Sequence, residues 1–413
     1  MNAHACVCCG GKSFQVVLDL GQMPLADRLV HPNDPEEEPT CPLKLVRCRG
    51  CSLAQVTEAP PPRVLFGEDF PYHSRFSDTL VASFRAHAEE LIARRELDAD
   101  SLVIDLGSND GAMLEPFARA GVRVLGIDPA DGPADEAERR GIPTRRAFFT
   151  AALAQSLAAA GVVADVVLAK NVLAHVEEPI GFLRGAGDVL KPGGVVVAEF
   201  PSVLELVRRH AFDTVYHEHR CCLSATSVAA LARRAGLRLE RVEPIELHGG
   251  SLRVTLSRGD EHLPEANAWL EHERSLGVND DACYAGLSSA AADVREGVRR
   301  LVDQERAAGR QVAAYGAAAK GAIMLNWCDL GPDRIDFVVD RNPHKQGKLM
   351  PGVRIPVRPV EAMQDERPGA VLVLAWNFVE EIAHQQAEYL RAGGRFIVPI
   401  PEPHIATASD FGL

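Results

Sequence analysis

A chain of 413 residues with 46% hydrophobic side chains is too long for one ordinary core and apolar enough to fold as two or three domains. Its net charge of -13 excludes a protein built to track a nucleic-acid backbone, while leaving room for a basic cleft around one anionic small molecule. No stretch approaches the roughly 18 apolar residues of a membrane span, and the opening residues Met1 to Cys6 lack the charged and then apolar pattern of a secretory leader, so no membrane contact and a cytoplasmic location are expected.

The first element is a pair of cysteine knuckles. Six of the ten cysteines precede residue 52, and the outer ones form Cys6-Val7-Cys8-Cys9 and Cys48-Arg49-Gly50-Cys51. Two CxxC turns separated by a long insert present four thiolates to a tetrahedral zinc ion, with Gly10 and Gly50 easing the turns. Cys8 competes with Cys9, and Cys41 is a spare. Only Cys6, Cys9, Cys48 and Cys51 give both knuckles the same gap, and these are the expected ligands. Four protein ligands leave no open position for water, so the zinc is expected to be structural.

Pro60-Pro61-Pro62 removes three backbone donors in succession and favours an extended linker. It places the end of a first domain, residues 1–70. Strands are predicted at 102–106, 122–127, 165–169 and 194–200, alternating with helical segments as in a parallel sheet. Two later apolar runs, 237–242 and 251–256, complete a seven-stranded sheet with a terminal hairpin, giving a second domain over residues 71–260. Helical spacing fills residues 261–310. A second α/β block follows, with strands predicted at 312–316, 335–340, 371–375 and 395–399, as a smaller third domain over residues 261–413.

Between the first two strands of the larger block lies Asp105-Leu106-Gly107-Ser108-Asn109-Asp110-Gly111. It opens a helix after a strand, but its Gly-x-x-x-Gly spacing is not the dinucleotide fingerprint. That weakens a nicotinamide cofactor and suits S-adenosylmethionine, whose linkage carries no pyrophosphate. Asp128 ends the next strand, about 20 residues past the loop, where a carboxylate accepts ribose hydroxyls. Asp105, Gly107, Asn109, Gly111 and Asp128 are therefore candidate cofactor residues. Asn171 and His175 follow the 165–169 strand, with Asn171 expected to face the cofactor and His175 the substrate.

Tyr216-His217-Glu218-His219 then brings a phenol, an acid and a base together. A neutral His219 can take a proton near neutral pH while Tyr216 or Glu218 orients it or a substrate oxygen. In the last block, Tyr315 to Gly321 lacks the spacing of a phosphate loop, although Lys320 and the helix amides there can meet a diphosphate. Arg253 and Lys345 are weaker substrate candidates.

Taken together, these motifs resemble those of the sugar C-methyltransferase family. Also matching are Met23-Pro24-Leu25-Ala26, Phe212-Asp213-Thr214-Val215, His248-Gly249-Gly250-Ser251-Leu252-Arg253, Asp340-Arg341-Asn342-Pro343 and Ala375-Trp376-Asn377-Phe378. The resemblance implies an α/β protein of three parts: a small N-terminal zinc-binding domain, a central Rossmann-like class I methyltransferase domain and a C-terminal Rossmann-like domain that closes over a thymidine-diphosphate (TDP) keto-sugar. It implies His219 as base, Tyr216, Glu218 and His175 beside the sugar, a tyrosine after the linker, taken as Tyr72, and substrate contacts from the segment holding His248. A monomer or weak oligomer is expected. The chain departs from the family pattern at Cys221-Cys222 and at His73, where relatives carry aromatics, and at Asp128, where they carry Glu. Methylation of another acceptor, or a non-catalytic binding protein, are the alternatives.

Overall fold

The computed structural model describes residues 5–35, 38–66, 73–247 and 249–413. Strand β1 (Phe14–Pro24) runs antiparallel to β2 (Thr40–Cys48), and β2 to β3 (Ala54–Val56). A register shift between Val16 and Leu18 breaks the strict alternation of β1, which is how the consecutive Val17 and Leu18 are both buried.

The middle sheet contains β4 (Leu102–Leu106), β5 (Arg123–Asp128), β6 (Thr144–Arg146), β7 (Ala164–Lys170) and β8 (Leu190–Pro201), all parallel. Every residue of β4 is buried, as expected where helices cover both faces of a parallel sheet. After these, β9 (Cys221–Cys222) leaves the middle sheet and pairs with β3 as the fourth strand of the zinc-side sheet. The chain then returns as the antiparallel hairpin β10 (Leu237–Ile245) and β11 (Ser251–Arg258), giving the order β10-β11-β8-β7-β4-β5-β6. The order reverses between β4 and β7, so the loops leaving those two strands diverge and open a crevice at their carboxyl ends.

Helices Pro264–Ser275 and Leu287–Ala307 lead into the last sheet. It comprises β12 (Val312–Tyr315), β13 (Val338–Val339), β14 (Val357–Arg358), β15 (Ala370–Val373), β16 (Phe396–Val398) and β17 (His404–Ala406), in the order β14-β13-β12-β15-β16-β17. Only β17 is antiparallel to its neighbour.

Strands β1, β2, β3, β6, β9, β14 and β17 have no counterpart among the predicted strands. The last four have two or three residues each, and β6 reads Thr144-Arg145-Arg146, with no apolar side chain to mark it. Strands β1 and β2 are long, but the cysteine knuckles on either side of them dominate the reading of that segment. The cores also cross the chain order. One apolar cluster joins Leu43 and Leu45 of the zinc-side sheet to Val294, Ile323 and Met324 of the C-terminal block, with Phe212 and Val215 between them. The segment entering Tyr216 to His219 is thus anchored in a core drawn from all three parts.

Candidate active site

The Sγ atoms of Cys6, Cys9, Cys48 and Cys51 all lie within 4.8 Å of one another. Cys6 and Cys51 approach to 3.5 Å, as do Cys9 and Cys48, while the Gly11 and Gly50 amides each point at a sulfur from 3.4 Å. An all-thiolate set with amide donors fits zinc, and the four cysteines brought together are those of the even-gap choice; Cys8 and Cys41 stand outside the cluster.

At the carboxyl end of β4 the glycine loop turns sharply. Gly107 has φ +71°, and a Cβ there would lie 2.5 Å from Val172 Cγ2, so this position admits only glycine without rearrangement. Asn109 is left-handed too, and its amide donates to Asp128 Oδ2 at 2.8 Å, while the Ala130 amide takes Oδ1 at 2.9 Å. Asp128 therefore ties the loop to β5 with one amide on each carboxylate oxygen. The Asn109 side chain accepts from the Ser74 amide at 2.9 Å. Three buried oxygens, Asp105 Oδ1, Ser108 Oγ and Asn171 Oδ1, have no hydrogen-bond partner. Orphaned polar atoms around the crevice, with a left-handed Asn171 at its far lip, are what an adenosine and amino-acid ligand would satisfy. Burial pushes the Asp105 carboxyl up to about 7, against the pull of Lys170.

The Tyr216 to His219 turn sits beside this crevice. His219 Nδ1 lies 2.7 Å from the Thr214 carbonyl, which can only accept, so Nδ1 carries the proton and Nε2 presents its lone pair. The Tyr216 hydroxyl is 2.8 Å from that Nε2, with the rings stacked at 4.0 Å. His175 is fixed in the same way, Nδ1 donating to the Glu218 carbonyl at 2.7 Å, and its ring lies 4.9 Å from that of His219. Burial lowers the His175 pKa, keeping it neutral.

Glu218 is buried, and its Oε1 accepts from the Asp27 amide at 3.3 Å. Burial first, and the Asp27 carboxyl second, push its pKa up to about 8. A glutamate in this state is a neutral acid at pH 7 and can donate a hydrogen bond. Asp27 brings the zinc-side segment into the site; its position immediately after the Met23 to Ala26 motif was the available signal. From the other side, Lys345 partly offsets the rise that burial imposes on Asp27, and donates to the Ala317 carbonyl at 2.8 Å. In both α/β blocks an aspartate at the second strand holds the first loop: the Ala317 amide donates to Asp340 Oδ2 at 2.8 Å.

The remaining expected residues divide. Lys320 stands 4.8 Å from the Trp376 ring centroid, with burial lowering its pKa and Asp213 opposing. Arg253 donates to Glu199 Oε1 at 2.6 Å in a buried network with Lys170 and His87, next to Asn171 at the end of β7. Tyr72 and His248 lie outside the described residues. Reading the sequence missed Asp27, Asp213, Trp376, Lys170 and Glu199. Asp213 and Trp376 fall within recognised motifs, whereas the Lys170–Glu199 pair has no spacing signal because it joins different strands.

A doubly wound sheet with its ligand crevice at the β4/β7 switch point and a glycine loop free of pyrophosphate character defines a class I S-adenosylmethionine-dependent methyltransferase, here joined to a four-cysteine zinc module. Three family models match in chain order: a zinc binding domain over residues 6–66, a methyltransferase domain over 81–242 and a C-methyltransferase C-terminal domain over 246–401. The C-methyltransferase NovU of Streptomyces niveus is 36% identical over 409 residues, covering 98% of this chain and 97% of NovU. A ubiquinone biosynthesis O-methyltransferase of Dinoroseobacter shibae is 36% identical over 191 residues, 43% of this chain and 70% of that protein. Among solved structures, magnesium protoporphyrin IX methyltransferase from Synechocystis PCC 6803 with bound SAM aligns over 43% of this chain and 79% of that chain, at 18% identity and a TM-score of 0.34, too slight a likeness to bear on function. The chain belongs to the C-methyltransferase family that includes NovU: it is an enzyme whose cofactors are S-adenosylmethionine and structural zinc. Among the described residues, no helix is long and apolar enough to cross a membrane.

Proposed function

We propose that the enzyme methylates the carbon next to the ketone of a TDP-linked 4-keto-deoxysugar. The supporting observation is the Tyr216–His219 pair, in which a fixed imidazole lone pair accepts a phenol 2.8 Å away, with neutral Glu218 and His175 at its side. Removing a proton next to a ketone requires a base and a separate donor for the charge growing on oxygen. His219 is the base. With Tyr216 seated on Nε2, the carbon proton passes to the phenol oxygen as the phenol proton passes to Nε2, leaving an imidazolium and an enolate. Protonated Glu218 supplies the donor that the enolate oxygen needs, and His175 lines the substrate. When bound, S-adenosylmethionine supplies the electrophilic methyl that the enolate carbon captures.

Asp105, Asn109, Asp128 and Asn171, with the Gly107 to Gly111 turn, hold the cofactor. Lys345, Lys320 and the amides after β12 lie on the C-terminal side, where a nucleotide diphosphate would bind, and Tyr72 and His248 remain candidates for the sugar. The test is mass-resolved turnover with S-adenosylmethionine and a panel of acceptors. A TDP-4-keto-deoxysugar should gain one carbon-bound methyl, and the same sugar without its nucleotide should react poorly. Methylation only of oxygen, nitrogen or simple keto compounds would contradict the proposal.

A further inference from the structure

The base of the site is oriented by a turn, and the turn is held from another domain. Phe212–Thr214 forms a single 3-10 turn, and its Thr214 carbonyl receives the His219 Nδ1 proton. One residue earlier, Asp213 is 0% exposed, an expensive place for a carboxyl without a dedicated partner. Its partner comes from the C-terminal domain: the Trp376 indole Nε1–H donates to Asp213 Oδ2 at 2.7 Å. Lys320 stands over the face of that same indole, 4.8 Å from its centroid, and pulls against the rise that burial imposes on Asp213, leaving it at about 6. Phe212 meets Trp327 at the far end of the helix Ala319–Trp327, ring to ring at 6.3 Å. A Cβ on Gly249 would lie 2.8 Å from the indole, so the Gly249-Gly250 turn also fixes where Trp376 sits.

We infer that Asp213 is a positioning residue, through which Trp376 and Lys320 of the C-terminal domain hold the Thr214 carbonyl against His219 and so keep the Nε2 lone pair on Tyr216. The chain of contacts is continuous: indole to carboxylate, carboxylate to turn, carbonyl to Nδ1, Nε2 to phenol. An apolar residue at 213 would fill the space without the desolvation cost, but it would offer the indole no acceptor and leave the turn free to rotate. The inference rests on His219 as base, and it adds that this base is assembled only when the C-terminal domain is docked.

The test reads His219 directly, by 15N NMR of histidine-labelled full-length enzyme, with the resonance missing in His219→Ala giving the assignment. Wild type should show one tautomer, protonated at Nδ1. Trp376→Phe, which keeps a ring but loses the donor, and Asp213→Ala should give mixed tautomers and a kcat lower by about 10²-fold, with S-adenosylmethionine affinity unchanged. Asp213→Asn, whose amide oxygen still accepts the indole proton, should retain more of both. A wild-type tautomer in Trp376→Phe and in Asp213→Ala, where the latter folds, would overturn the inference. Mixed tautomers accompanied by full activity in His219→Ala would instead refute the base assignment and leave the positioning link standing.

Discussion

Glu218 carries the sharpest consequence of burial at the residue scale. Its pKa stands near 8, raised by burial and by Asp27, so the neutral form, the one we propose as donor to an enolate, persists through neutral pH and is lost as pH rises through about 8. Methyl transfer should therefore fall on the alkaline side of about 8, and Glu218→Gln, a permanent neutral donor, should extend the plateau upward in a kcat–pH profile. An alkaline limb unchanged by the substitution would remove Glu218 from that role. Stability follows the same sign. The folded state binds more protons than the unfolded one between the ordinary glutamate range and about 8, so this residue's contribution declines as pH rises across that window. Side chains at this scale were readable in kind, since Tyr216, Glu218 and His219 announce acid–base chemistry. Their protonation was not, because Asp27 is far away in the chain and the Thr214 acceptor is a backbone atom.

At the scale of elements, the glycine loop shows what spacing does and does not reveal. Gly107 and Gly111 mark a tight turn in any reading, but the reason at Gly107 is Val172, 65 residues on, whose methyl occupies the space of a Cβ. Gly107→Ala should cost about 1 kcal/mol for the left-handed backbone and more for the clash, and should weaken S-adenosylmethionine binding by calorimetry. Adding Val172→Ala should recover the clash portion only; full recovery would show that backbone strain plays no part. Long apolar strands were legible because burial on both faces leaves unbroken Val and Ile runs, as in β4 and β7. The zinc-side strands β1 to β3 and the short strands β6, β9, β14 and β17 were not. Cys221 and Cys222 gave no strand pattern, yet they carry the chain back to the zinc-side sheet.

At the scale of the whole molecule, the zinc module is more than an appendage. Its sheet accepts β9, which follows His219 almost directly, and its Asp27 amide contacts Glu218. Replacing Cys48 and Cys51 with serine should abolish bound zinc by metal analysis and destabilise the enzyme by about 4 kcal/mol or more. It should also lower turnover beyond what lost folded protein explains. Zinc content equal to wild type would exclude this site. The three-part order was legible because cysteine knuckles, a glycine loop and a second α/β alternation follow one another along the chain. How the parts share a core was not, because Leu45, Phe212 and Ile323 become neighbours only through tertiary packing that no local pattern records.

The proposed chemistry makes carbon acidity the central claim, and it is tested most directly by incubating the enzyme in deuterated water with a TDP-4-keto-deoxysugar and S-adenosylhomocysteine, which permits proton removal without methyl transfer. The wild type should wash deuterium into the position next to the ketone. His219→Ala should lose that exchange by at least about 10²-fold, and Tyr216→Phe should lose it comparably if the phenol relays the proton, both with cofactor binding intact. Exchange at the wild-type rate in His219→Ala would contradict the account.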